Sequence, residues 1–226
     1  LVGEEGRGVA TIIQMVAQTR VDCAAGSSAL MRAAVREAVH HTRHRRAFGK
    51  LLVDQPLMRR VLVDMALEVE GAVALTFRVA RSHDEKDSDE ARAFGRVATA
   101  IAKYWVTKRA PALSYEVMEC LGGAGYVEES GMPRLYRESP VNSIWEGSGN
   151  VQCLDVLRAL GREADTAEAL MRELNRSRGA DARYDAHLAG IERALSRRDE
   201  LETCARKIVE DLALALAAGV LLRNAP

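Results

Sequence analysis

The amino-acid sequence predicts an all-α protein, an antiparallel four-helix bundle with extra helices at its C-terminal end. Three observations lead there. Aromatic residues make up 4% of the 226 residues and hydrophobic residues 48%, and an Ala-, Leu- and Arg-rich composition favours helices over sheets. Only five prolines interrupt the chain. Apolar residues recur every three or four positions over long stretches, the period of one helix face.

Each element follows in order. LVGEEGRG is an opening loop, and a first helix is predicted over 9–45, with Val9, Ile12, Val16, Leu30, Ala34 and Ala38 at apolar positions. RRAFGKLLVDQP then breaks the pattern: Gly49 suits a helix stop and Pro56 the first turn of a second helix. That helix runs over 56–82, with Met58, Val61, Leu62, Met65, Val69, Ala72, Val73 and Thr76 on one face. SHDEKDSDEA is a charged turn, and Ser88 followed by Asp89 and Glu90 opens a third helix. It extends toward Glu119, with Pro111 expected to kink it or shift its register.

Residues 121–150 form the longest irregular stretch, uncommon in a compact domain unless it carries function. A fourth helix starts near Ser148 or Asn150 and stops at Gly161. Two more are predicted over 166–178 and 181–222, the latter broken around Arg197 to Asp199. The organisation is a bundle over 1–160 and a helical extension over 161–226. The chain begins at Leu1 and ends in LLRNAP, which reads as a piece of something longer.

Charge and cysteine content exclude several classes. Thirty-two basic residues balance 32 acidic ones, so no global field points to nucleic acid or membrane. A local surplus lies between Arg20 and Arg60: Arg20, Arg32, Arg36, Arg43, Arg45, Arg46, Lys50, Arg59 and Arg60 against Asp22, Glu37 and Asp54. It suits either an anion such as phosphate or a solvated helix face. Cys23, Cys120, Cys153 and Cys204 are scattered, which is neither a zinc site nor a disulfide framework and suits a reducing cytoplasm. His40, His41 and His44 have no metal-site spacing. The longest apolar run, over 212–222, is too short to span a bilayer.

Three segments can carry chemistry. Gly122 and Gly123 follow a helix and lack the βαβ context of a dinucleotide fingerprint. They either end that helix through a left-handed turn or expose backbone N–H groups to a phosphate. Arg45 and Arg46 are favourable helix-end cations, and beside Phe48 they also suit a pyrophosphate and a planar base. Glu146 stands in IWEGSGN, after Trp145 and ahead of the fourth helix. The helix N-terminus favours its charged form and burial beside Trp145 disfavours it. It is either a first-turn acid or a general base.

Together these segments resemble the C-terminal helical domain of acyl-CoA dehydrogenases. GRG, TRVD, RRAFGKLLVDQ, ECLGGAGYVEE and RLYRESPVNSIWEGSGN follow one another in register over about residues 1–160. QPLMR, EESGMPRLYRESPVNSIWEGSGN and CLDVLR, with the helices beyond, look like the AidB-like branch, associated with the bacterial response to DNA alkylation.

The resemblance implies a cytoplasmic FAD-dependent flavoprotein that self-associates as a dimer or tetramer and dehydrogenates an acyl-CoA-like thioester. The AidB-like branch implies an alternative, a protection flavoprotein associated with double-stranded DNA that has weak or no dehydrogenase activity. Glu146 takes the place of the base that removes the α-proton. The rival base position on the first helix is occupied by Thr19. Arg45, Phe48, Gln55, Gly122, Gly123 and Ser148 correspond to FAD contacts, and Arg20 and Trp145 to the substrate side. No metal is implied. Pro56, Glu119, Asn150 and Ala17 depart from the residues usual at their positions. They leave flavin binding intact and predict inefficient turnover.

Overall fold

The computed structural model describes residues 2–85 and 87–224; Leu1 of the opening loop and Lys86 of the charged turn lie outside them. Helix α1 spans Gly8–His44. In its first turns Val9, Ile12, Ile13 and Met15 are exposed despite their apolar character. From Val21 onward its inner face, with Met31, Ala34 and Ala38, is buried.

The end of α1 departs from expectation. The helix stops at His44, Arg45 turns extended, and Gly49 belongs to a separate turn. Strands β1 (Arg46–Ala47) and β2 (Lys50–Leu51) pair antiparallel, Arg46 with Leu51 and Ala47 with Lys50. Phe48 (φ 51°) and Gly49 (φ 79°) make the two-residue connection. Two consecutive positive φ angles match the right-handed twist of a tight hairpin. Strands of two residues are too short to show alternation, which is why the hairpin escapes a periodicity reading.

Helix α2 (Pro56–Asp84) carries Pro56 in its first turn, where the missing N–H costs nothing. Ser88 caps α3 (Asp89–Leu121), accepting a hydrogen bond from the Ala91 amide at 3.2 Å. α3 runs through Pro111 without interruption. It is the central element: Phe94, Val97, Ala98, Ile101, Ala102, Val106 and Val117 are all buried. Residues 121–150 are less irregular than expected. They contain the single turn α4 (Gly123–Tyr126), α5 (Met132–Glu138) and a one-turn 3-10 helix over Val141–Ser143.

Helices α6 (Gly149–Arg162), α7 (Ala164–Asn175), α8 (Ala182–Ser196) and α9 (Ala205–Asn224) complete the chain. The break expected near Arg197 divides α8 from α9, with Asp181 capping α8. One hydrophobic cluster joins Met31, Leu75 and Ile101 of the bundle to Leu170, Ile208 and Leu212 of the later helices. The seam also holds a buried charge network. Glu173 accepts from Arg78 at 2.8 Å, Arg176 at 2.9 Å and Arg223 at 2.6 Å, and Arg78 stacks 4.1 Å from the Phe94 ring. Burial works against the Glu173 charge, yet the arginines hold its carboxyl below the ordinary glutamate value. No described helix is long and apolar enough to cross a membrane.

Candidate functional site

The stretch after α3 leaves the end of that helix and returns along α1. Leu121 and Met132 share a cavity of about 180 Å³ with Ala33 and Glu37. Further along, Asn142 donates to Ser27 Oγ at 3.1 Å and accepts from the Trp145 indole at 3.0 Å. The segment Trp145–Glu146–Gly147 then lies over Arg20 of α1 and Lys103 of α3.

Here three successive carbonyls turn toward the bundle. Lys103 Nζ donates to the Trp145 carbonyl at 2.8 Å and to that of Gly147. Arg20 Nε donates to the Glu146 carbonyl at 3.0 Å. Gln152 Nε2 donates to the carbonyls of Glu146 and Gly147, both at 3.0 Å. Such convergence requires left-handed backbone, and both Glu146 (φ 55°) and Gly147 (φ 98°) adopt it. For a glutamate this conformation costs about 1–3 kcal/mol. Each hydrogen bond from a charged donor contributes about 1.5–3 kcal/mol, so the donors outweigh the strain.

The two glycines of EGSGN have separate reasons. A Cβ on Gly147 would come within 2.6 Å of Gln152 Nε2, and one on Gly149 within 3.3 Å of the Tyr104 ring. Ser148 between them is the exposed N-cap of α6 and makes no capping bond. The reading of Glu146 as a first-turn acid is corrected: α6 begins at Gly149, and Glu146 precedes its cap.

Charge around the loop is organised from below. Lys103 is 1% exposed. Burial pushes its ammonium down to about 8, with Cys23 and Glu146 pulling upward and Arg20 downward. Burial raises the nearby Cys23 thiol, and Lys103 opposes that rise. Arg20 Nη1 donates to Asp155 at 2.9 Å, and Arg96 to the same carboxylate at 2.9 Å. Burial works against the charge of Asp155, but Arg96 and Arg20 hold its carboxyl below the ordinary value. The Glu146 carboxylate itself, half-buried, makes no hydrogen bond or ion pair among the described residues.

The residues singled out from the sequence thus fall into two groups. Arg20, Trp145, Glu146 and Ser148 come together. Arg45, Phe48, Gln55, Gly122 and Gly123 lie toward the other end, where α1 and α3 finish. About 36 Å of helix separates Arg20 from His44. Phe48 is 96% exposed, and Gln55 donates to the Ala47 carbonyl of the hairpin at 3.4 Å. Gly122 (φ 61°) and Gly123 have nothing within 4 Å of where a Cβ would stand.

Lys103, Gln152, Asp155 and Arg96 were not singled out by the sequence reading. One signal existed for Lys103: it is the only charge in VATAIAKYWV, a run whose other residues are apolar or small. Among the described residues no cluster of three or more His, Cys, Asp or Glu could hold a metal ion.

Residues 6–161 match the family described as acyl-CoA dehydrogenase, C-terminal domain. The chain is 44% identical over 225 residues to AidB of Escherichia coli (strain K12), an acyl-CoA dehydrogenase homologue, covering 100% of this chain and 41% of AidB. It is 35% identical over 156 residues to the mitochondrial short-chain specific acyl-CoA dehydrogenase of Bos taurus, covering 69% of this chain and 36% of that protein. The solved structure of Caenorhabditis elegans ACDH-11 in complex with C11-CoA superposes with a TM-score of 0.84 at 29% identity, over 97% of this chain and 41% of that one. Butyryl-CoA dehydrogenase of Megasphaera elsdenii gives 0.64 at 29% identity, over 71% of this chain and 40% of the other. The chain therefore spans less than half the length of these relatives. With the family's domain matched over most of its residues, the chain belongs to the acyl-CoA dehydrogenases, within their C-terminal all-α domain.

Proposed function

We propose that this chain is the C-terminal bundle of an FAD-dependent acyl-CoA dehydrogenase homologue of the AidB-like branch, with Glu146 as the general base. The single observation that carries the reading is a half-buried carboxylate without a hydrogen bond or ion pair among the described residues, on a backbone gripped from three sides. A base must be free to take a proton yet fixed in place. Glu146 would remove the α-proton of an acyl-CoA-like thioester, with the exposed Trp145 ring as a wall beside it. Arg20, already committed to the Glu146 carbonyl and Asp155, acts from beneath by orienting the loop.

The residues present fit a flavin. Gly122 and Gly123 leave open space for a close approach. Arg45 is exposed, and its side chain makes no hydrogen bond or ion pair among the described residues. Phe48 offers a bare ring. FAD, when bound, supplies the acceptor for the hydride that leaves Cβ. Arg45, Phe48 and Gly123 are far from Glu146 along α1 and α3, which supports a flavin pocket shared between copies in a dimer or tetramer, with Gln55 and Ser148 as flanking contacts. The division into a bundle over 1–160 and an extension over 161–226, and a cytoplasmic setting, belong to the same reading. Double-stranded DNA is the weaker reading: four of the nine cations in the basic stretch, Arg20, Arg36, Arg59 and Arg60, are ion-paired with acids.

The test uses the full-length protein. It should purify yellow and bleach when a saturated acyl-CoA is added. Glu146→Gln should keep the flavin and slow bleaching by about 1,000-fold. Bleaching at the wild-type rate in that variant would remove Glu146 from the chemistry.

A further inference from the structure

We propose that Lys103 is a positioning residue for the Glu146 loop: its buried ammonium gathers the carbonyls on either side of Glu146 and thereby decides which way the glutamate points. This rests on the proposed function for its catalytic consequence, though not for its structural one.

In extended backbone successive carbonyls alternate in direction. The carbonyls of Trp145 and Gly147 both meet one ammonium, with that of Glu146 between them held by Arg20 and Gln152. Glu146 and Gly147 reach this arrangement through positive φ angles. With its carbonyl held toward the bundle, Glu146 has little freedom left in its main chain. Its Cβ direction, and hence the volume its carboxylate sweeps, is set from below.

Lys103 suits the task better than a neutral donor. An ammonium offers three N–H donors around a point charge, and the converging carbonyl oxygens form a niche of negative potential. The remaining charged or titratable groups acting on it are Cys23 and Arg20 from α1 and Glu146 from the loop. α6 contributes the neutral Gln152 amide to the same niche, and its Asp155 is taken up by Arg20 and Arg96. A lysine used only for stability would have no reason to be desolvated under this loop, since an exposed head group avoids that cost. Lys103 is 1% exposed and its charge goes to backbone carbonyls, not to a carboxylate.

The test is Lys103→Met in the full-length flavoprotein, which keeps the volume and removes the donors. Gln152→Met weakens the same grip from α6 and serves if the first variant folds poorly. Two readouts are taken: flavin reduction under a saturated acyl-CoA, and amide hydrogen exchange over 141–152. We expect the reduction rate at saturation to fall by about 100-fold, with half-saturation moving less than about twofold because the interaction orients the base and not the substrate. Exchange over 141–152 should rise while the rest of the bundle keeps its protection. If the wild type turns over and either readout stays at its wild-type level, the positioning role is overturned. If exchange rises as expected but no thioester reduces the wild-type flavin, the loop assignment stands and the dehydrogenase reading fails. Unchanged exchange without wild-type turnover overturns both.

Discussion

The two ends of α1 solve opposite problems. Near Arg20 the chain closes over itself: three backbone carbonyls, two left-handed residues and a buried lysine fix one glutamate. Beyond His44 the chain opens outward: Phe48 is 96% exposed, Arg45 is exposed, and Gly122 and Gly123 face empty space. The first end is completed by this chain alone. The second presents groups that make no side-chain hydrogen bond or ion pair to this chain among the described residues, or that stand in open space. On the proposed function, rigidity goes where a proton is to be moved, and exposure where another surface is to be met.

That contrast makes substitutions at the two ends differ in kind. The largest loss of stability is expected for Asp155→Ala, which takes the carboxylate from the part-buried Arg20 and leaves the exposed Arg96 with Glu163 alone. Losing these charge-assisted hydrogen bonds costs about 3 kcal/mol, measured by denaturant unfolding. The carboxyl of Asp155 is held below its ordinary value of 3.8. The contribution is therefore complete above that value and fades as pH falls below it. A gap between wild type and variant that persists undiminished at pH 2 would break this account of the closed end.

Gly147→Ala is expected to come next. The new methyl would press on Gln152 Nε2 at 2.6 Å and Val151 Cγ1 at 3.1 Å, on a backbone at φ 98°. Strain of this kind costs about 1–3 kcal/mol. It should also loosen the grip on Glu146, so flavin reduction should fall more than unfolding stability suggests. A stable variant with full reduction would show that the loop tolerates rearrangement.

Arg45→Ala and Phe48→Ala should mark the small extreme. Exposed positions without partners change stability within about 0.5 kcal/mol. Flavin content and assembly size should nevertheless drop, read by absorbance and light scattering of the full-length protein. A marked loss of stability with flavin content intact would mean that the hairpin serves its own fold and not a neighbour.

Much of this was legible in the sequence. Periodicity along 56–82 predicted a buried face, and Leu62, Met65, Val69 and Ala72 are buried in α2. Ser88 followed by two acids predicted a helix start, and its hydroxyl caps α3. What escaped was long-range. Lys103 and Trp145 are 42 positions apart, and nothing local in AKYW announces that a returning loop will cover the lysine. The significance of Glu146 came from resemblance, not from spacing. Its positive φ was not foreseen, because it depends on three donors contributed by three different helices. The hairpin at 46–51 escaped for the opposite reason: it is too local, settled by Phe48 and Gly49 alone.

The central claim is that the Glu146 carboxylate takes a proton from the carbon beside a thioester. Exchange of that proton tests it without requiring hydride transfer. Full-length flavoprotein is incubated with a non-oxidisable acyl-CoA analogue in heavy water, and deuterium at Cα is followed by mass spectrometry. The account predicts steady deuterium uptake with the wild type and none above background with Glu146→Gln. Uptake by Glu146→Gln at the wild-type rate would contradict it.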